Sequence, residues 1–318
     1  MLKKATLLVS GVLATLAVSS TVLAQLRPTG DWPVRAEAEY AVVPNITYLT
    51  ATGYASKLDL YRRRDVTTPQ PTLIFFHEGG WVGGTKEGSV MSLLPWMQMG
   101  WNVVNVEYRL ARVALAPAAV EDAMCSLRFV VERAQEMGVD TSRIVVSGES
   151  AGGHLALAVG MIPESAGFAR LCTGGAVPGL DTTTPRVAAI INWYGITDVG
   201  ELLSGPNTMS RTYALQWLGS LPNRLETARS LSPLTYVREG LPPILSIQGD
   251  ADPQVPFSQS VRLRDALTRA GVKNELVTIA GGGHGNFTAE ERINAYAKIR
   301  RFLAANGLIS RETGLNHQ

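Results

Sequence analysis

The chain has 318 residues, of which 46% are hydrophobic and 18% are charged, a composition typical of a globular protein. Its formal net charge is +2, and its basic residues are scattered, with residues 62–64 as the only basic triplet. Because nucleic-acid-binding proteins concentrate positive charge on one surface, this distribution excludes nucleic acid as an expected partner. The length suits a single large α/β domain with insertions, which we place at residues 45–310.

The first residues have the order of a secretory signal peptide. Lys3 and Lys4 precede an apolar stretch at residues 5–22, and Ala24 stands before Gln25. We therefore predict a signal peptide at residues 1–24, cleavage after Ala24, and a secreted or periplasmic protein with an N-terminal extension at residues 25–44. The alternative is an uncleaved membrane anchor, but the stretch is short and interrupted by serines and a threonine. We expect no stable membrane association after cleavage.

Short strand patterns alternate with helical patterns along the rest of the chain. Residues 45–50 and 58–62 have the polar ends of antiparallel edge strands. Six apolar runs are typical of buried parallel strands, namely residues 72–76, 103–108, 144–147, 188–193, 244–248 and 276–279. Helical periodicity marks residues 117–137, 261–270 and 290–304. This alternation predicts an α/β fold, with a mostly parallel sheet covered by helices on both faces and antiparallel N-terminal strands.

Two stretches depart from the alternation and are predicted insertions. Residues 163–186 are rich in Gly, Thr and Pro, and residues 198–243 combine loops with a helical piece around 211–218. Since both lie between core strands, we predict that both pass over the strand ends where an open α/β sheet binds ligands, and that they shape a substrate site. Residues 311–318 are a C-terminal tail.

The cysteines and histidines limit the covalent and metal chemistry. In an oxidising compartment Cys125 and Cys172, the only two cysteines, would form one disulfide, and two buried free thiols are the alternative. The chain has only four histidines, and its cysteines are widely separated, so we expect no metal site. No phosphate-binding glycine fingerprint is present in the sequence, and we expect no cofactor.

The pattern Gly148-Glu149-Ser150-Ala151-Gly152 lies between an apolar strand pattern and an apolar helix pattern. That context predicts a nucleophile elbow, in which a serine is held exposed on a sharp strand-to-helix turn. Glycines two residues on either side allow the backbone to bend so tightly. The pattern alone also fits a Ser/Gly-rich turn before a packed helix.

A reactive serine needs a base, and His284 is the best candidate. It lies in a glycine-rich loop just after the last predicted strand, which suits a group that must reach a neighbour. His154 lies one helical turn beyond Ser150 and is predicted to be a packed core histidine, while His317 is in the tail. His77 belongs to a separate motif.

The base needs a carboxylate that fixes its tautomer, and two aspartates follow the strand pattern at 244–248. Asp250 comes directly after the strand and Gly249, where it is well placed to accept hydrogen bonds from backbone amides. Asp252 lies farther into the loop. The residues alone favour Asp252 only modestly, so both aspartates remain candidates for the acid.

The run His77-Glu78-Gly79-Gly80-Trp81 directly follows the predicted strand at 72–76. Backbone N–H groups in this place can stabilise an oxyanion, although an ordinary Gly-Gly turn is the alternative.

With these motifs in place, the sequence resembles the α/β-hydrolase superfamily over residues 45–303, since the chain order Ser, Asp, His is that of its members. Within it, HEGGW, GESAGGH, NWYGITD, SPLTYV, LPPIL and GDADPQVP resemble secreted bacterial lipases/esterases with an HGGG-type oxyanion loop, including BD-FAE-type feruloyl and acetyl esterases. The resemblance implies that Ser150 is the nucleophile, His284 the general base and acid, and Asp252 the orienting acid. It also implies oxyanion donors at the N–H groups of Gly79, Gly80 and Ala151.

The sequence departs from this family pattern at Glu78, where the usual loop has glycine. Because a carboxylate facing the oxyanion would oppose its charge, we predict that the Glu78 side chain points away or pairs with a cation. Trp81 is predicted either to line the substrate pocket or to pack in the core, and Trp193 to be structural.

We therefore expect a cofactor-independent serine carboxylesterase for short-chain or aromatic-acid esters, of acetyl or feruloyl type. Its expected partner is a small-molecule or plant-cell-wall-derived ester. An amidase or peptidase of formamidase type would use the same residues, because pocket shape selects the scissile bond. A non-catalytic binding protein with this fold is a further alternative. A long-chain lipase fits less well, since both insertions are too polar to form an apolar lid.

Overall fold

The computed structural model describes residues 31–172, 185–220 and 222–309. The predicted signal peptide and its cleavage site, His317 and the C-terminal tail lie outside these residues. Within them, no helix is both long enough and apolar enough to cross a membrane.

The core is one eight-stranded sheet with the strand order β1-β2-β4-β3-β5-β6-β7-β8. The strands are β1 (Tyr40–Ala51), β2 (Tyr54–Arg63), β3 (Gln70–Phe76), β4 (Asn102–Val106), β5 (Val139–Glu149), β6 (Ala189–Trp193), β7 (Ile244–Gly249) and β8 (Asn274–Ile279). The pairs β1–β2 and β2–β4 are antiparallel, and all other pairs are parallel. Each predicted strand overlaps one of these, so the predicted sheet is confirmed.

Helices cover both faces of the sheet. They are α1 (Asp31–Glu39), α2 (Val90–Gln98), α3 (Ala118–Glu132), α4 (Ala134–Met137), α5 (Ala151–Met161), α6 (Val199–Ser204), α7 (Thr208–Leu218), α8 (Arg224–Ser230), α9 (Phe257–Arg269) and α10 (Ala289–Ala305). Buried side chains of α3, α5 and α9 form one core, and those of α2 and α10 form the core on the opposite face. The alternation of patterns predicts this layered α/β architecture, and the family resemblance implies its α/β-hydrolase form.

The structure differs from the predicted elements in several places. The helical pattern at 117–137 is divided at Arg133 into α3 and α4, and Gly138 ends it in the left-handed region at φ 67°. Helices α1 and α2 lie outside the predicted elements, because α1 buries no residue and α2 contains Pro95. Strand β1 begins at Tyr40, ahead of the predicted residues 45–50.

The described residues of the two insertions lie at opposite ends of the sheet. Helix α5 runs back from Ser150, so its end reaches the start of β6, where a Cβ on Gly160 would lie 2.4 Å from Ile190 Cδ1. The described residues of the first insertion follow that end and line a cavity there, away from Ser150. For these residues, the prediction that the first insertion passes over the ligand-binding strand ends is wrong. The second insertion does reach Ser150 through residues of α6 and α7.

A disulfide joins Cys125 of α3 to Cys172, with a sulfur–sulfur distance of 2.09 Å. The predicted bridge is therefore confirmed. It ties the first insertion to the helical layer on one face of the sheet.

Candidate active site

Ser150 lies on a sharp turn between β5 and α5, with φ 53° and ψ −117°. L-residues rarely adopt this backbone conformation, so the surrounding structure must hold it in place. A Cβ on Gly148 would lie 2.3 Å from the carbonyl group of Gly152, and a Cβ on Gly152 would lie 2.0 Å from the carbonyl oxygen of Phe76. Both glycines are therefore required by close backbone approach, which explains the Gly-x-Ser-x-Gly spacing.

Three side chains from different loops form a continuous hydrogen-bonded chain. Ser150 Oγ lies 2.8 Å from His284 Nε2, and His284 Nδ1 lies 2.8 Å from Asp252 Oδ2. The Asp252 side chain is fully buried and that of His284 is 8% exposed. A carboxylate can only accept, so Nδ1–H donates to Asp252 and the lone pair of Nε2 faces the serine hydroxyl. The structure thus brings together the predicted nucleophile, base and acid.

The two candidate acids have different hydrogen-bond partners. The Asp252 carboxylate also accepts hydrogen bonds from the N–H groups of Gln254 (2.8 Å) and Val255 (3.0 Å) and from Gln248 Nε2 (3.3 Å). Asp250 instead accepts from the N–H of Gly281 at 2.7 Å, which supports the loop that carries His284. Asp252 is therefore the partner of His284, and Asp250 has the turn-forming role expected from its position.

The His77–Trp81 loop follows β3 and has positive φ at Gly79 (125°), Gly80 (60°) and Trp81 (62°). His77 Nδ1 lies 2.7 Å from the carbonyl oxygen of Glu78. In a trans peptide the N–H and C=O groups point in opposite directions, so this hydrogen bond also fixes the direction of the Gly79 N–H. Burial lowers the pKa of His77 to about 4, which keeps the ring neutral with its proton on Nδ1.

The three predicted oxyanion donors are available for a ligand. The N–H groups of Gly79 and Gly80 donate to no protein acceptor within the described ranges. Ala151 is the first residue of α5, where N–H groups have no partner within the helix. These amides are therefore unused donors, and Gly80 lines the same cavity as Ser150.

A small cavity of about 20 Å³ opens beside Ser150 and His284. Its apolar walls are Trp81, Ile196, Leu202, Tyr213 and Val255. Tyr213 of α7 packs directly on the oxyanion loop, since a Cβ on Gly80 would lie 2.6 Å from its ring. The second insertion thus closes one side of the site. The wall residues that the insertion supplies were not predicted, because only a helical pattern at 211–218 indicated that part of the chain.

Trp81 belongs to both the core and the cavity wall. Its ring is 1% exposed and stacks on Trp217 at 4.2 Å, while another part of it faces the cavity. Its Nε1–H donates to Nδ1 of His154 at 3.2 Å, and Nε2 of His154 lies 2.7 Å from the Leu231 carbonyl oxygen. Both predicted roles of Trp81 are present. His154 is fully buried, which confirms the packed core histidine, and burial lowers its pKa to about 4.

The Glu78 side chain is exposed and forms no ion pair with a Lys or Arg of the described chain. Of the two predicted alternatives, pointing away or pairing with a cation, the pairing is not seen among the described residues. Its charge instead acts on Glu149, whose pKa is raised first by burial and second by Glu78.

Trp193 is 1% exposed and packs against Phe287 and Tyr296, as expected for a structural residue.

Comparison with known proteins gives concordant matches. The BD-FAE family model matches residues 58–267. The chain is 28% identical to LipM, a probable carboxylic ester hydrolase of Mycobacterium tuberculosis, over 74% of this chain and 53% of LipM. It is 26% identical to an ethyl acetate hydrolase of Pseudomonas putida, over 76% of this chain and 74% of that protein.

Among solved structures, the Est2 esterase of Thermogutta terrifontis superposes with a TM-score of 0.69 at 26% identity. That match covers 86% of this chain and 94% of Est2. The chain spans about half the length of the mycobacterial esterases that it matches. Because the family model covers more than half of the sequence, the chain belongs to the BD-FAE family of α/β-hydrolase esterases.

Proposed function

We propose that this chain is a serine carboxylesterase that hydrolyses short-chain carboxylic esters through an acyl-enzyme at Ser150. One observation carries the proposal, namely the continuous hydrogen-bonded chain Ser150–His284–Asp252. The serine hydroxyl, the accepting nitrogen and the buried carboxylate have the order that general-base activation of a serine requires. Two further observations support it: the unused amide donors near Ser150, and the esterases among the relatives.

In the first half of the reaction, Ser150 Oγ attacks the ester carbonyl carbon while its proton passes to Nε2 of His284. The negative charge that develops on the carbonyl oxygen accepts hydrogen bonds from the N–H groups of Gly79, Gly80 and Ala151. Asp252 stabilises the imidazolium and holds its orientation. The imidazolium then protonates the alkoxide, so that an alcohol leaves and the acyl group remains on Ser150.

In the second half, a water molecule takes the place of the alcohol. The oxygen of the water attacks the acyl carbon while His284 accepts a proton from the water. The oxyanion forms again and accepts hydrogen bonds from the same amides. The C–O bond to Ser150 breaks, the proton returns from Nε2 to Ser150 Oγ, and a carboxylic acid is released. No cofactor enters the proposed reaction.

We propose that the acyl group is an acetyl group, because of the size of the cavity beside Ser150. The cavity measures about 20 Å³, far below the roughly 300–1,000 Å³ of pockets that hold drug-sized ligands. Space this small suits a short acyl group, and most of the wall side chains are apolar, with the polar Ser210 and Gln254 beside them. The similarity to an ethyl acetate hydrolase supports a short acyl group. A feruloyl group would require Tyr213 and Leu202 to move.

A rate panel tests this function. We expect kcat/KM for 4-nitrophenyl acetate to exceed that for the butyrate by about tenfold or more, since each misfitting methylene has a cost of roughly 1–3 kcal/mol. Methyl ferulate and 4-nitroacetanilide complete the panel, as an aromatic-acid ester and an amide. A preference for the ferulate would contradict the acetyl assignment, and a preference for the anilide would indicate an amidase.

We also propose that the protein is exported and that its signal peptide is cleaved after Ala24. The disulfide between Cys125 and Cys172 supports this, because disulfides persist in oxidising compartments. The mass of the protein recovered from its native host tests the proposal. A mature chain that begins at Gln25 is expected, and retention of residues 1–24 would contradict it.

A further inference from the structure

Glu149, the residue before Ser150, has a buried carboxylate that the proposed reaction does not use. It is 8% exposed, and it faces the side of the sheet that α2 and α10 cover. Ser92 Oγ of α2 lies 3.2 Å and 3.4 Å from its two oxygens, and Arg292 Nη1 of α10 lies 3.7 Å from Oε1. Burying an ionised group has a high free-energy cost unless the charge is paired. A buried carboxylate in this position therefore indicates a role in the protein.

Arg292 connects this carboxylate to the loop that carries His284. Its Nη2 donates to the carbonyl oxygen of Gly285 at 2.8 Å, and its guanidinium lies 5.8 Å from the ring centroid of Phe287. Gly285 follows His284 directly. One guanidinium on α10 therefore joins the residue before the nucleophile to the residue after the base.

The described backbone hydrogen bonds of the His284 loop join its first part to the loop after β7, through the Ala251 N–H and the Gly282 carbonyl, whereas those after His284 stay within the loop. Gly281, Gly282, Gly283 and Gly285 surround His284, and glycine restricts the backbone least of all residues. Asp250 fixes one end of the loop through the Gly281 N–H. At the other end Gly285 has φ 74°, and Tyr194 Oη lies 2.6 Å from the place where its Cβ would be. Arg292 is the charged side chain that holds this second end.

We propose that Glu149 and Arg292 are a positioning pair, in which Arg292 holds the backbone after His284 and Glu149 holds Arg292. Neither residue of the pair contacts the reacting atoms. Together they keep the imidazole of His284 within hydrogen-bonding distance of Ser150. This inference rests on the proposed function, in which His284 is the general base. Tyr296 supports the same contact, since its hydroxyl donates to the Ser92 carbonyl oxygen at 3.2 Å and so joins α10 to α2.

The pair also predicts a pH dependence. The charged and titratable groups that act on Glu149 are Arg292 of α10 and Glu78 of the oxyanion loop, and the hydroxyls of Tyr194 and Tyr296 sense its charge. The pairing with Arg292 requires ionised Glu149, so it is complete above the pKa of Glu149 and is lost as the pH falls through it. Because burial raises that pKa, protonation of Glu149 contributes to the acid limb of activity.

Four variants of the full chain test the pair: Arg292→Met, Glu149→Gln, the double variant, and Arg301→Met as a matched control on an exposed position of α10. We expect Arg292→Met to lower kcat for 4-nitrophenyl acetate about 10- to 100-fold with little change in KM, the scale of a misplaced reacting group. Glu149→Gln is expected to lower it by about tenfold. The double variant should match Arg292→Met, because Glu149 acts through Arg292. The control should match the wild type.

The reaction of Ser150 with a fluorophosphonate probe separates this inference from the proposed function. In that reaction Ser150 Oγ bonds to phosphorus, fluoride leaves, and His284 accepts the serine proton. Slower labelling of Arg292→Met than of the wild type supports the pair even if the wild type hydrolyses no acetate ester, an outcome that would refute only the proposed function. Equal labelling of both refutes the pair.

If Arg292→Met does not fold, the pH profile of Glu149→Gln decides. We expect its acid limb of kcat/KM to lose one ionisation and become shallower than that of the wild type. Superimposable profiles would overturn the proposal.

Discussion

The two sides of the Ser150 site are built in different ways. On one side, the loops after β3, β5, β7 and β8 are fixed by backbone contacts, such as the one at Gly152, where a Cβ would lie 2.0 Å from the Phe76 carbonyl oxygen. On the other side, the second insertion is held by side chains, with Tyr213 on Gly80 and Trp217 stacked on Trp81. The backbone-built side holds the groups for bond breaking, and the side-chain-built side limits the size of the acyl group. Substitutions on the first side should therefore change the rate of bond breaking, and substitutions on the second side should change the preference for the acyl group.

The largest expected effect on the backbone-built side separates its two aspartates. Asp252→Asn is expected to lower kcat about 10⁴-fold, because an amide at this position favours the wrong tautomer of His284. Asp250→Asn is the matched control, since it alters only the hydrogen bond to the Gly281 N–H and should retain activity within about tenfold. Single-turnover and steady-state rates measure both. An inactive Asp250→Asn variant beside an active Asp252→Asn variant would reverse the assignment.

His77 tests whether the oxyanion loop depends on a neutral histidine. His77→Phe keeps an aromatic ring against Tyr108, which now stacks on His77 at 4.3 Å, but removes the donor to the Glu78 carbonyl. We expect kcat to fall about 10²- to 10³-fold, as for the loss of one oxyanion donor. Because burial lowers the pKa of His77 to about 4, the ratio of wild-type to variant rates should stay constant between pH 6 and 8. A ratio that changes across this range would argue against the neutral ring.

Tyr213 is the corresponding test on the side-chain-built side. Tyr213→Ala enlarges the cavity beside Ser150 and should raise the butyrate-to-acetate ratio of kcat/KM about tenfold. Tyr236→Ala is the matched control in the same insertion, because the Tyr236 hydroxyl donates to the Ser230 carbonyl and does not line the cavity. Equal ratios in the two variants would mean that Tyr213 does not set the acyl limit.

The smallest expected effect on activity comes from the disulfide, which is far from both sides of the site. Replacing Cys125 and Cys172 together by serine should lower the free energy of unfolding by about 2–4 kcal/mol. The rate on acetate esters should remain within about twofold, because the bridge joins α3 to the first insertion at the other end of the sheet. Urea unfolding and steady-state kinetics measure the two quantities. A large loss of activity in a folded variant would show that the first insertion influences Ser150.

The difference between the two sides also explains what the sequence could predict. Glycine contacts and strand order leave short local signatures, so Ser150, His284 and the oxyanion loop were found from the residues, and the family resemblance selected Asp252 over Asp250. The cavity walls depend on packing between distant segments, which has no local signature. Tyr213 and Leu202 were therefore not identified, and Trp81 remained between two roles that it turns out to combine.

Two other failures have equally specific causes. For the described residues of the first insertion the predicted position is wrong, because the direction of α5 decides to which end of the sheet the chain returns. Glu149 was noticed only as the variable residue of the Gly-x-Ser-x-Gly motif. Its burial and its contact with Arg292 depend on the packing of α10. Arg292 lies 143 residues after Glu149 in the chain.

The central claim is that Ser150 is the nucleophile of an ester hydrolysis. The most direct measurement compares hydrolysis of 4-nitrophenyl acetate by the purified wild type and by Ser150→Ala, with circular dichroism to verify that both are folded. We expect the wild type to turn over and the variant to lose about 10³-fold or more of kcat, since removal of a nucleophile leaves only binding and the oxyanion donors. Equal rates from the two folded proteins would contradict the account.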